Sequence, residues 1–147
     1  EQQMLIKEKK RWEQIVNEEL DNVLIKRHSI NFPDAYKTME KLNLSSDFSM
    51  GYKKTLGFRA GTCTPFLFYD LDMEQLLPLT IYPSAFNSIA LENSHIEDII
   101  EQVRKIKRRT EEVNGFFLGI FENKDFADNF DDKIAKEIIQ IIHEKKP

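Results

Sequence analysis

Two stripes of isoleucine at helical spacing stand on either side of one short apolar run, and this arrangement constrains the fold more than any other feature. In residues 95–113, Ile96, Ile99, Ile100, Val103 and Ile106 recur at intervals of three and four, which puts them on one face of a helix. Residues 131–144 repeat the pattern with Ile134, Ile138, Ile141 and Ile142. Between them lies FFLGIFEN, residues 116–123, an apolar run of strand length. Asn93 or Ser94 is placed to cap the first helix and Gly115 to stop it.

The amino-terminal half alternates in the same way. Leu5, Trp12, Ile15, Val16 and Leu20 predict a helix over 3–20. NVLIKRHSINF, residues 22–32, has the composition of a strand and is closed by Pro33. A short helix is expected over 34–43, with Tyr36, Met39 and Leu42 inward. Shorter extended pieces follow at 44–52, 57–60, 65–71 and 77–86. Strands alternating with helices at both ends of a chain predict parallel strands joined by helical crossovers, an α/β layout. No repeat or low-complexity linker divides the 147 residues, so one domain over 1–147 is expected.

The charge balance limits the partners. A formal net charge of -4 argues against broad attraction to nucleic acid or to an acidic membrane. Lys105, Lys107, Arg108 and Arg109 are flanked by Glu101, Glu111 and Glu112, which reads as a solvated helix face. No apolar run approaches the ~20 residues needed to span a bilayer. The single cysteine, Cys63, cannot form an intramolecular disulfide and says nothing of the redox compartment.

Familiar catalytic spacings are missing. His28, His95 and His143 do not form an HxxxH or HExxH pair. There is no phosphate-cradling GxxxxGK[ST] loop, no GxGxxG turn and no GxSxG elbow. DNFDD, residues 128–132, lacks the alternating oxygen ligands of a calcium loop and reads as helix capping. Asp47, Asp70 and Asp72 fall at predicted strand–loop junctions. Arg59 stands between Phe58 and Ala60 in an apolar segment, where a guanidinium is costly unless it is paired or at a polar opening. Gly61 behind it permits unusual backbone angles, and Thr62 and Thr64 add hydroxyls.

Two segments in order, DFSMGY at 47–52 and GFRAGTCTPFLFYDL at 57–71, resemble a divergent bacterial branch of the polysaccharide deacetylase family, the carbohydrate esterase family 4 type. Pro33 with Tyr36, and the Tyr82–Pro83 strand end, fit the same resemblance. It implies the carboxyl-terminal part of an irregular (β/α) barrel with mostly parallel strands. It also implies removal of N-acetyl groups from sugar polymers by a divalent metal, often zinc, with a carboxylate as base on the metal-bound water. Carried onto this chain, Arg59 would hold the catalytic aspartate. Gly61, Thr62, Pro65, Phe66 and Tyr82 would line the substrate groove, and Asp47 and Tyr52 would support the site.

The departures are specific. The Thr-Phe-Asp-Asp and His-Ser/Thr-x-x-His segments that carry the metal ligands do not occur, so the expectation is a fragment with no metal of its own, zinc belonging to a complete member. Glu122 stands where relatives have a histidine, and residues 84–87 read SAFN without the usual acid. His28 lies near a family histidine, at a different spacing from Pro33. Two functions are therefore expected. One is part of a deacetylase-like hydrolase in cell-surface polysaccharide metabolism. The other is a catalytically degenerate domain that binds carbohydrate or protein. A half-barrel leaves apolar edges uncovered, so self-association is expected as well.

Overall fold

A computed structural model describes residues 2–25, 33–91, 95–126 and 132–144. The chain divides into two compact units, one of Glu1–Ser49 with Phe66–Tyr82 and one of Met50–Pro65 with Pro83–Pro147. Among the described residues the strands form two separate sheets and no closed barrel. The class is mixed α/β with mostly parallel pairing. No helix among these residues is long and apolar enough to cross a membrane.

The first unit runs α1 (Gln2–Val16), β1 (Asn22–Val23), α2 (Asp34–Lys41), β2 (Ser46–Asp47), β3 (Phe66–Asp70) and β4 (Gln75–Ile81). Its sheet has the order β1-β2-β4-β3. β1, β2 and β4 are parallel, with Val23, Asp47 and Ile81 in register. Leu77, Leu79 and Ile81 alternate inward along β4, as a two-residue period requires. α2 covers that face, burying Tyr36 and Met39 as its periodicity predicts. The Tyr36 ring meets Phe68 edge-on at 4.6 Å.

β3 departs from the parallel expectation and pairs antiparallel with β4. Residues 71–74 are too few for a parallel crossover, which needs a dozen or more. Asp70 shapes the turn. Its Oδ1 accepts the N–H of Asp72 at 2.9 Å and of Met73 at 3.4 Å. Glu74 then takes φ 49. α1 is shorter than its sequence suggests, because Asn17 adopts φ 58 and ends it. Leu20 folds back onto the helix, its N–H donating to Glu13 at 3.1 Å and its carbonyl accepting from Lys9 at 2.7 Å. Pairing on β1 stops at Val23, and residues 26–32 of the expected strand, His28 included, lie outside the described residues.

The second unit holds a loop over 50–65, then β5 (Phe86–Asn87), α3 (Ile96–Glu112), β6 (Gly119–Ile120) and α4 (Asp132–His143). Both isoleucine stripes face one core: Ile99, Ile100, Val103, Ile134, Ile138 and Ile141 close around Phe86 and Leu91. The continuous strand expected over 77–86 is broken. β4 ends at Ile81 and Phe86 belongs to the other sheet, with Pro83 between them, which cannot donate to a ladder. The 116–123 run pairs only at Gly119 and Ile120, parallel to β5, and Asn123–Phe126 turns into a short 3-10 helix.

α3 ends through Asn114, not through Gly115. Asn114 takes φ 52, and the Gly115 N–H closes onto the Thr110 carbonyl at 2.8 Å. Gly115 is needed for space: a Cβ there would lie 3.1 Å from Cys63 Cβ and 3.2 Å from Thr110 Cγ2. The basic run of α3 is not uniformly solvated either. Lys107 is buried and donates to the Glu144 carbonyl at 2.9 Å, just past the end of α4, where a cation complements the helix dipole. His95 occupies the cap position of α3 without a side-chain cap bond. Asn93 and Ser94, and Asp128 to Asp131 of the DNFDD segment, lie outside the described residues.

Candidate functional site

Because β1, β2 and β4 end level, the residues after them emerge at one edge, where open α/β sheets place their sites. Asp47 is fully buried there. Its Oδ2 accepts the Tyr36 hydroxyl at 3.1 Å and its Oδ1 accepts the Ser49 N–H at 3.1 Å. The Ser49 hydroxyl accepts the Ile25 N–H at 2.7 Å, tying the ends of β1 and β2 together. Burial pushes the Asp47 carboxyl above its ordinary value of 3.8, and the bonds from Ser49 and Tyr36 offset only part of that. Beside it Phe48 and Tyr82 stack with ring centroids 4.8 Å apart and 15° between planes, both half-buried. Phe66, also half-buried, pairs with Ile81 at the same edge. Asp47, Phe66 and Tyr82 are thus brought together.

The segment around Arg59 is a braced surface turn in the second unit, not an extended piece. Phe58–Gly61 closes a β-turn, the Gly61 N–H donating to the Phe58 carbonyl at 3.0 Å, and Gly61 takes φ 72. Leu56 and Phe58 pack against the isoleucine core, while Arg59 at the turn's first corner is exposed. The desolvation cost anticipated for this arginine does not arise, because its flanking apolar residues point inward and it does not. Two main-chain bonds hold the turn. The Gly57 N–H donates to Ala85 at 2.7 Å and the Phe116 N–H to Cys63 at 2.9 Å. Thr62 Oγ1 accepts the Thr64 N–H at 3.1 Å, so this hydroxyl shapes the loop. Pro65 is half-buried and Tyr52 exposed.

At the carboxyl ends of β5 and β6 stand Asn87 and Glu122. Asn87 Oδ1 accepts the Ile89 N–H at 3.1 Å. The Glu122 N–H donates to Asp125 Oδ2, and Asp125 is fully buried. Sequence reasoning passes over Asp125, Tyr36 as a carboxylate partner, and the Phe48 ring. The signal for Asp125 was its position three residues after Glu122, the reach of a side chain closing a 3-10 turn. The signal for Tyr36 was its inward place on α2.

No family model, curated protein or solved structure matches the chain. Zinc is the metal that the deacetylase resemblance implies, and the described residues do not fit it. Among the described residues no three His, Cys, Asp or Glu side chains come together as such an ion would require. Asp47, the best-placed carboxylate, has both oxygens engaged by Tyr36 and Ser49.

Proposed function

We propose that this chain is part of a polysaccharide deacetylase-like hydrolase acting on N-acetylated sugar polymers, with a role in cell-surface polysaccharide metabolism. It contributes substrate-facing residues; the metal ligands lie outside the described residues. The observation that carries this reading is the Arg59 turn. An arginine on a corner fixed by two main-chain bonds and two inward apolar side chains is held in one place, as an arginine that orients a carboxylate must be. In the family resembled, that carboxylate is the catalytic aspartate. Tyr82 stacked on Phe48 adds a flat, partly exposed aromatic surface of the kind that accepts the apolar face of a sugar ring. The finer fold that goes with this reading is part of an irregular (β/α) barrel.

A second reading keeps the binding and drops the turnover. It is favoured by Glu122, which replaces the family histidine and as a carboxylate cannot serve as a cationic donor. Titration of the isotope-labelled chain with N-acetylglucosamine oligomers, followed by NMR, tests carbohydrate recognition. Shifts at the Arg59 turn and at Tyr82 are expected, and Arg59→Ala and Tyr82→Ala should each weaken binding roughly 10-fold; Arg59→Ala, at an exposed position, should change stability by less than about 0.5 kcal/mol, whereas Tyr82→Ala also loses the Phe48 stack, at a cost of about 1 kcal/mol or more. Acetate release assayed on the same oligomers, with the metal-bearing segment supplied, separates hydrolase from binder. Absence of shifts with both acetylated and deacetylated oligomers would sink both carbohydrate readings.

A further inference from the structure

The carboxyl end of β6, in the second unit, is built around two acidic residues three apart, Glu122 and Asp125. Pairing with β5 stops at Ile120. Two residues on, a single residue takes both main-chain polar groups of Glu122. Asp125 Oδ2 accepts the Glu122 N–H, and the Asp125 N–H donates to the Glu122 carbonyl at 2.9 Å. The orientation of the Glu122 main chain is therefore set by Asp125. Aromatic rings clamp the turn on both sides. Phe121, before Glu122, meets the buried Phe86 ring edge-on at 5.5 Å. Phe126, after Asp125, lies against Phe121 with ring centroids 5.7 Å apart.

Asp125 is fully buried, and its Oδ1 has no hydrogen-bond partner among the described residues. A buried carboxyl oxygen left unbonded costs stability. The turn thus holds Glu122 in place at a local cost, the pattern found where a position is kept for function. Glu122 itself is half-buried at a strand carboxyl end, the edge on which parallel α/β sheets present their binding residues. We propose, on the carbohydrate-binding reading, that Asp125 is a positioning residue: it holds Glu122 so that the Glu122 carboxylate accepts hydroxyl and amide N–H donors of an N-acetylated sugar. An ionised carboxylate only accepts, and bonds to it are stronger than those between neutral groups. They are also lost when the carboxylate is misplaced by on the order of 1 Å, so the residue that fixes its main chain sets how well it binds.

NMR titration of the 147-residue chain with N-acetylglucosamine oligomers tests this, with urea denaturation confirming that each variant is folded. Glu122→Ala should weaken binding about 10-fold. Asp125→Ala removes the acceptor of the Glu122 N–H and should weaken binding to a similar extent. Combining the two should cost little more, because both act through one side chain. Asp125→Asn keeps a carbonyl oxygen for the same N–H and should hold binding within about 2-fold of the unsubstituted chain. Additive losses, or Asp125→Asn binding as weakly as Asp125→Ala, overturn the positioning role and leave carbohydrate recognition standing. Unchanged binding in Glu122→Ala does the same, and it decides the question even if Asp125→Ala does not fold. An unsubstituted chain that binds no oligomer overturns the carbohydrate reading, and the positioning role with it.

Discussion

Replacing Tyr36 by phenylalanine removes a hydroxyl at the edge of the parallel sheet. The ring and its contact with Phe68 remain, while the hydroxyl that donates to Asp47 Oδ2 at 3.1 Å is lost. Asp47 is fully buried, so water cannot substitute for the missing donor. A hydrogen bond to a charged group contributes about 1.5–3 kcal/mol and a neutral one about 0.5–1.5 kcal/mol, so Tyr36→Phe should cost about 2 kcal/mol near neutral pH and about half that once Asp47 is protonated. The sign of the pH dependence follows from burial. The folded-state pKa of Asp47 is raised above 3.8. The associated stability is therefore fully present below 3.8 and is lost as pH rises through the raised value. Tyr36→Phe removes a group that favours the charged form, so it raises that pKa further and deepens the loss. Asp47→Asn abolishes the titration and should flatten the curve over the same window. Urea denaturation followed by circular dichroism, from about pH 3 to pH 8, reads both effects as shifts in midpoint at constant slope. A Tyr36→Phe cost below about 0.5 kcal/mol at every pH, or an equal cost in the Asp47→Asn background, would refute the coupling.

Gly119→Ala should destabilise the second unit by about 1–3 kcal/mol, because the new Cβ would lie 2.6 Å and 2.9 Å from two carbons of the fully packed Phe86 ring, and Phe86→Leu should recover much of that loss in the double variant. Asp70→Asn should blunt the loss of stability in acid. Burial would raise this carboxyl, but the Asp72 N–H, the Lys37 ammonium and the Met73 N–H outweigh it and hold the pKa below 3.8, so its contribution is present above 3.8 and lost as pH falls through the lower folded value. An unchanged acid limb in the denaturation curves of that variant would count against the turn-stabilising role.

The helices of the carboxyl half were legible because each repeats its apolar residues at the period of its own backbone. Ile99, Ile100, Val103, Ile134, Ile138 and Ile141 are buried where the stripes put them. The same rule misleads at α1, whose Trp12, Ile15 and Val16 have the spacing but remain exposed. Periodicity says which face of a helix is apolar, not whether another element meets it. The site residues divide similarly. Gly61 was legible as a turn residue, and Arg59 as an arginine needing explanation. The inward packing of Leu56 and Phe58 that leaves Arg59 outside was not.

By itself, the sequence determined what depends on neighbours along the chain. That covers the apolar faces of α2, α3 and α4. Only the tertiary structure decided which polar groups are buried and what satisfies them. Asp47 gains Tyr36 from a preceding helix, and Lys107 finds the carbonyl of Glu144, 37 residues away. The physical reason is that burial and hydrogen bonding depend on what meets in space, whereas local pattern fixes only which surface each element has to offer.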